Sequence, residues 1–381
     1  MFDFLSPETY RILYLGLVTL LVLMFTFSYQ WSPTNEKNQQ GLFATLIIAL
    51  FFVIYFGFRP TEGATMGDTA VYATKYNRIA EGFDYASFDL PENSKANKEV
   101  VWKLIMTSMA NSGYSLELWF TVVAIIYMFF NIWGIIRIMP NHIYPAFLFF
   151  ISFFLFYTGG INGIRTADAY SIVFFAITLY KKPIAKNYIL MALLFLLGYL
   201  IHSSLMVTIG AFILARFFIK DTKLAILIWF MAIIISLLFG NTLAEYSASI
   251  IDDNRAQQYL NVGEDQDLME SAGMQLGFRW DFLIFSALPI VIGWYVVGKR
   301  QILDPFYKTL LNTYILANAV WVIFIYAGYS NRFAMLSWCL YPYVLCYPYM
   351  NMKLFTVAKQ SQYTCVLLWI QLLFTVYMSF K

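Results

Sequence analysis

The chain has 381 residues, 60% hydrophobic, 20% aromatic and only 12% charged, with a formal net charge of +3. A soluble domain carries about 25% charged residues, so an ordinary cytosolic enzyme, a disordered chain and a disulfide scaffold are excluded. So slight a net charge implies no nucleic-acid partner. The apolar residues come in runs that match a hydrocarbon core roughly 30 Å thick, which leaves an all-α polytopic integral membrane protein, one transmembrane domain over residues 1–381 with external loops.

The first apolar runs cover residues 11–29 and 41–58. Asp3 and Glu8 stand where a secretory signal carries basic residues, so no cleavable signal peptide is expected. A long segment, 59–115, follows. In it Asp68 opens a helical pattern with Tyr72 and Tyr76 on its face. A carboxylate with neighbouring tyrosines suits a sugar; an Asp N-cap followed by an aromatic packing stripe is the competing explanation. Further along, Val100, Val101, Leu104, Ile105 and Met109 share one helical face suited to lying on a membrane surface.

Runs at 116–136, 143–158 and 166–180 come next. Before the last of these lies Gly159-Gly160-Ile161-Asn162-Gly163-Ile164-Arg165. Its glycines allow close backbone approach, and the following helix N-terminus offers N–H groups to an anion. Arg165 is therefore a candidate phosphate ligand; the alternative is an interfacial arginine paired with Asp168 on the same face. The stretch 187–215 would be about 43 Å long as one helix and contains the polar break His202-Ser203-Ser204. Two short helices turning near His202 fit better. His202 titrates near neutrality and suits a general base toward a sugar hydroxyl, or else caps the turn. His142, beside Pro140, is expected to be structural.

The remaining runs are 224–241, 280–298, 308–327, 333–350 and 362–380, with an acidic segment at 242–279. Arg332, in Tyr329-Ser330-Asn331-Arg332-Phe333, begins a span, where a guanidinium can grip a diphosphate in bidentate fashion or simply snorkel. Arg279 is a further diphosphate candidate, although its neighbour Asp281 offers a structural ion pair. Cys339, Cys346 and Cys365 show no CxxC spacing, and with only two histidines neither a metal nor a cofactor is expected.

Basic residues decide the orientation. With a break at His202, 13 Lys and Arg lie in the loops assigned to the cytoplasm and six lie outside, apart from six more in 59–115. With one span there, the split becomes nine to ten. The positive-inside rule favours the break, which predicts about 12 membrane-inserted helices with both termini outside. Arg165, Asp168, His202, Arg279, Asp281 and Arg332 then gather at the external ends of spans. Charges within spans are expensive and mark function.

Several of these pieces, in this order, resemble the EpsG-like, Wzy-type family of bacterial polysaccharide polymerases. The matching stretches are Gly67-Asp68-Thr69 with Tyr72, and Lys98-Glu99-Val100-Val101-Trp102 leading to Asn111-Ser112-Gly113-Tyr114-Ser115. They continue with Asn162-Gly163-Ile164-Arg165 followed by Ala167 and Ala169, then Ile201-His202-Ser203-Ser204 and Ser330-Asn331-Arg332-Phe333. The resemblance spans about residues 40–350; the acidic segment matches nothing. It implies a C-type membrane glycosyltransferase that joins oligosaccharide repeat units carried on undecaprenyl diphosphate, at the outer face of the bacterial cytoplasmic membrane. The growing chain passes to the non-reducing end of a new unit. Arg165, Arg332 and Arg279 would bind diphosphate, His202 or Asp68 would activate the acceptor, and Tyr72 and Tyr76 would help hold sugar. The partners implied are the lipid-linked substrates, the bilayer and a chain-length regulator protein.

Two alternatives remain open. A flippase for lipid-linked oligosaccharide needs basic residues along a path across the membrane, whereas here they collect near one face. An O-antigen ligase-like transferase has the same chemistry with a different acceptor.

Overall fold

The computed structural model describes residues 4–32, 38–61, 67–84, 99–250, 277–327 and 330–380. Among these every regular element is helical. The acidic segment 242–279 lies mostly outside the described residues. Two compact units are distinguished. Of the described residues, the first holds those up to 84, 99–203 and those from 346 on; the second holds those within 204–345.

In the first unit, α1 (Pro7–Ser28) opens with Ser6 accepting from the Thr9 backbone N–H and with Pro7 at a first-turn position, a start that uses donors left unpaired at a helix end. There follow α2 (Asn38–Gly57), α3 (Asp68–Ala80), α4 (Val100–Asn111) and α5 (Leu116–Ile138). Next come α6 (Ile143–Ile151), α7 (Phe154–Ile161), α8 (Ile164–Leu179) and α9 (Ala185–Ile201). The helix α8 packs against α5 and α9 and is buried almost all round, as expected of a central helix with no polar face. Gly198 sets the α8–α9 distance. A Cβ there would stand 2.7 Å from Val173 Cγ2 and 3.3 Å from the Ala169 carbonyl oxygen.

The run 143–158, expected as one span, is instead α6 and α7 meeting at 69°. A bend at membrane depth survives only if neighbours satisfy the freed backbone groups, and they do. The Tyr14 hydroxyl of α1 donates to the Ile151 carbonyl at 2.8 Å. From the last helix, α16 (Val357–Phe380), Thr375 Oγ1 donates to the Ser152 carbonyl at 2.7 Å. Gln371 Nε2 donates to the Phe149 carbonyl at 2.6 Å and to Ser152 Oγ at 2.8 Å.

The second unit contains α10 (Met206–Ile213), α11 (Thr222–Ile250), α12 (Trp280–Trp294), α13 (Pro305–Ile323) and α14 (Ser330–Trp338). The short α15 (Tyr341–Asn351) begins in this unit and ends in the first. Buried α13 packs against α10, α11, α12 and α14. Polar links hold the set together, as small and polar side chains do between membrane helices. Trp229 Nε1 donates to Asn318 Oδ1 at 2.8 Å, and Asn318 Nδ2 donates to Ser337 Oγ at 2.9 Å. Trp338 Nε1 donates to Ser286 Oγ at 2.6 Å, while the Tyr314 hydroxyl reaches the Ser286 carbonyl at 2.9 Å.

Among the described residues, five helices are long and apolar enough to cross a membrane, or six if α6 and α7 form one broken span. This is an α-helical polytopic membrane protein, but the structure does not support the expected count of about 12. The reason is length and continuity. The stretch 187–215 is divided into Ala185–Ile201 and Ser203–Phe218, helical segments of only 10–17 residues, α8 has 16 residues, and the run 333–350 is broken between Trp338 and Tyr341. The chain does leave the helix at His202, whose backbone is extended (φ −149°, ψ 105°).

Candidate functional site

The helices α8 and α9 are joined by a short connection, residues 180–184, so the start of α8 and the end of α9 lie at the same end of the pair. Arg165 is the second residue of α8, and His202 caps the end of α9. Helix α4, whose Trp102, Met106 and Ala110 are buried, packs against both α3 and α9. That packing brings Glu99, just before α4, to the same place. One Glu99 carboxylate oxygen pairs with Arg165 Nη1, and the other lies 3.0 Å from His202 Nδ1. The three side chains are partly screened from solvent, with exposures of 21% for Arg165, 16% for Glu99 and 17% for His202. Charge-assisted bonds in such surroundings are stronger than on an open surface.

The turn before Arg165 is held from below. The Ile161 carbonyl accepts from Arg59 Nη1 at 3.1 Å and from Thr69 Oγ1 at 2.6 Å. Arg59 is 0% exposed; its Nε donates to the Phe56 carbonyl at 2.6 Å, and its guanidinium lies 4.1 Å from the Phe120 ring centre. Asp168, 2% exposed, is within electrostatic reach of Arg59. The ion pair of Arg165 is with Glu99, not with Asp168 as the helical spacing suggested.

Asp68 is the first residue of α3, and Gly67 rather than Asp68 occupies the N-cap. Gly67 has φ +47°, and a Cβ there would come within 3.0 Å of Asn162 Oδ1. The start of α3 thus lies against the turn that leads to Arg165. From α3, half-buried Tyr72 meets Trp102 edge-on at 5.7 Å between ring centres. Tyr76 is 1% exposed, stacks on Trp119 at 5.4 Å and donates to the Tyr114 carbonyl at 2.9 Å. Tyr76 therefore builds the wall behind Tyr72.

The other two arginines belong to the second unit. Arg279 is bidentate to Asp281, with Nε and Nη2 at 2.9 and 2.8 Å from the two carboxylate oxygens, and lies 3.7 Å over the Phe282 ring. Its charge is spent within one turn. Arg332 is exposed near the start of α14. His142 is buried; its Nε2 donates to the Ser32 carbonyl at 2.9 Å, and burial holds the imidazole below its usual pKa range despite that bond.

Glu99 and Arg59 are the residues that local patterns did not single out. Glu99 stands in the Lys98–Trp102 stretch, beside the apolar pattern of α4, which was its one sequence signal. Arg59 entered only as one of the six basic residues of 59–115. Their partners lie 66 and 103 residues away for Glu99 and 102 away for Arg59.

No curated protein and no solved structure gives a significant match to the chain. The family model described as "EpsG family" matches residues 42–381, far more than half of the sequence. An all-helical membrane architecture and this extended match agree: the chain belongs to the EpsG family.

Proposed function

We propose that the chain is a polysaccharide polymerase, a glycosyltransferase that joins oligosaccharide repeat units carried on undecaprenyl diphosphate at the outer face of the cytoplasmic membrane. Family membership supports the polymerase-type function, and the excess of basic residues in the loops assigned to the cytoplasm supports the orientation. The observation that carries the reading is the meeting of Arg165 and His202 on one carboxylate, Glu99, at a single end of the α8–α9 pair. Cation and base are the two groups this reaction needs.

In this reading His202 takes the proton from the acceptor hydroxyl. The resulting oxygen attacks the anomeric carbon of the growing chain, and the bond from that carbon to the lipid diphosphate breaks. Negative charge grows on the departing diphosphate, where Arg165 and the N–H groups at the start of α8 stabilise it. Asp68 and Tyr72 hold sugar hydroxyls and ring faces at the neighbouring start of α3. Arg332, in the second unit, is proposed as an anion ligand on its sequence context alone; Arg279, already neutralised by Asp281, has little left to offer an anion.

The test is gel analysis of surface polysaccharide in cells carrying Arg165→Ala or His202→Ala. Single repeat units on lipid with no long polymer, at normal protein levels, is the expected result. Normal polymer in both variants overturns the assignment, and loss of every surface unit points to a flippase.

A further inference from the structure

We infer that Glu99 is a positioning residue: it fixes His202 as the tautomer that carries its proton on Nδ1 and presents the Nε2 lone pair as the base. The consequence for catalysis rests on the polymerase reading above; the tautomer itself does not. The argument begins with what each atom can do. An arginine guanidinium stays protonated in proteins, and an ionised carboxylate only accepts hydrogen bonds. Arg165 on one oxygen holds Glu99 in that ionised form. The second oxygen, 3.0 Å from Nδ1, therefore requires a proton on Nδ1, and neutral histidine then has its lone pair on Nε2.

The geometry is braced on both sides. The His202 backbone N–H closes the last turn of α9 on the Gly198 carbonyl at 2.9 Å, and the chain turns extended at that residue. Glu99 is held by α4, whose Trp102 and Met106 are buried against the rest of the unit. When Nε2 takes a proton from an acceptor hydroxyl, the imidazolium faces a carboxylate across a formed hydrogen bond, the arrangement that lets an acid orient a histidine base without itself becoming protonated. Arg165 shares that carboxylate, so the base and the diphosphate ligand hold each other in register.

Two measurements test this. The chain contains only two histidines, so full-length protein labelled with 15N-histidine in lipid nanodiscs gives two imidazole signals, and His202→Asn assigns them. At a pH where His202 is neutral, its proton is expected on Nδ1. In Glu99→Ala the population shifts toward Nε2–H while the His142 signal, far along the chain, stays put and shows that the variant is folded. A wild-type proton on Nε2, or a tautomer unchanged in Glu99→Ala, overturns the inference. The second measurement is polymerisation by the full chain on purified lipid-linked repeat units. Glu99→Gln is expected to lower kcat about 100-fold or more while KM for the lipid-linked donor stays within about threefold, because the amide oxygen of Gln still accepts from Arg165 whereas its NH2 group cannot accept from Nδ1. Glu99→Asp recovers part of the rate, and Glu99→Gln with His202→Ala is no slower than His202→Ala alone. Additive losses in the double variant, or a rise in KM with kcat intact, overturn the positioning role. If the tautomer shifts as expected while His202→Ala polymerises at the wild-type rate, it is the polymerase role of His202 that fails and the hold of Glu99 on its tautomer that stands.

Discussion

The bend between α6 and α7 makes a quantitative claim about polar groups inside the first unit. Within an unbroken helix the Phe149 carbonyl would accept from the Phe153 N–H, but that N–H turns to Phe150 at 3.3 Å. The carbonyls around the break depend on side chains of α1 and α16 instead. Tyr14→Phe and Thr375→Val each delete one hydroxyl with little change of shape, leaving the Ile151 and Ser152 carbonyls without donors that now stand at 2.8 and 2.7 Å. An unsatisfied buried group costs about 1–3 kcal/mol, while polar contacts between membrane helices average about 0.6 kcal/mol. About 1 kcal/mol for each deletion follows, hence about 2 kcal/mol for the pair, or up to about 30-fold in the folding equilibrium. Thr45→Val is the control: Thr45 is equally buried, but its hydroxyl bonds back to the Gly41 carbonyl in its own helix at 2.8 Å, which the helix already satisfies. Reversible unfolding in mixed micelles, followed by tryptophan fluorescence, measures all three. A Tyr14→Phe/Thr375→Val protein as stable as the Thr45→Val control refutes the claim that these side chains hold the bend. Because α7 leads directly to Ile161 and Arg165, the double variant is also expected to polymerise more slowly.

Gly198→Ala sets a Cβ against Val173 and the Ala169 carbonyl; overpacking of this kind costs about 1–3 kcal/mol, and since His202 lies one turn on, thermal stability and polymer yield are expected to fall together. Tyr76→Phe loses the bond to the Tyr114 carbonyl, about 1 kcal/mol of stability, and leaves donor KM unchanged, whereas Tyr72→Ala raises it; a KM change in Tyr76→Phe counts against its place in the wall. Burial lowers the pKa of His142 in the native state, whereas the unfolded chain binds a proton near pH 6.5. Its contribution is therefore present above about pH 6.5 and lost as pH falls, so His142→Gln is expected to flatten the stability profile between about pH 6.5 and 5, which denaturation midpoints across that range will show.

Hydropathy and loop charge alone established the class of molecule, because a bilayer demands apolar helical runs wherever the chain crosses it. The break at His202 was legible for a similar reason: three polar residues interrupt a run too long for one span. Arg165 at a helix start, and Arg279 beside Asp281, were also visible, since both depend on neighbours within a turn. What only the tertiary structure decided depends on residues distant in sequence. The bend at Ser152 has no local signature; Phe153 and its neighbours are as apolar as any span, and the groups that make the bend affordable stand on α1 and α16. The structure does not support the count of about 12 either, since apolarity measures a run but not where packing breaks it. Glu99 was only a member of the Lys98–Trp102 stretch until the packing of α4 on α9 placed it between Arg165 and His202. A carboxylate's partners are set by the fold of the chain around it, and a linear pattern cannot show which distant cation and imidazole will share it.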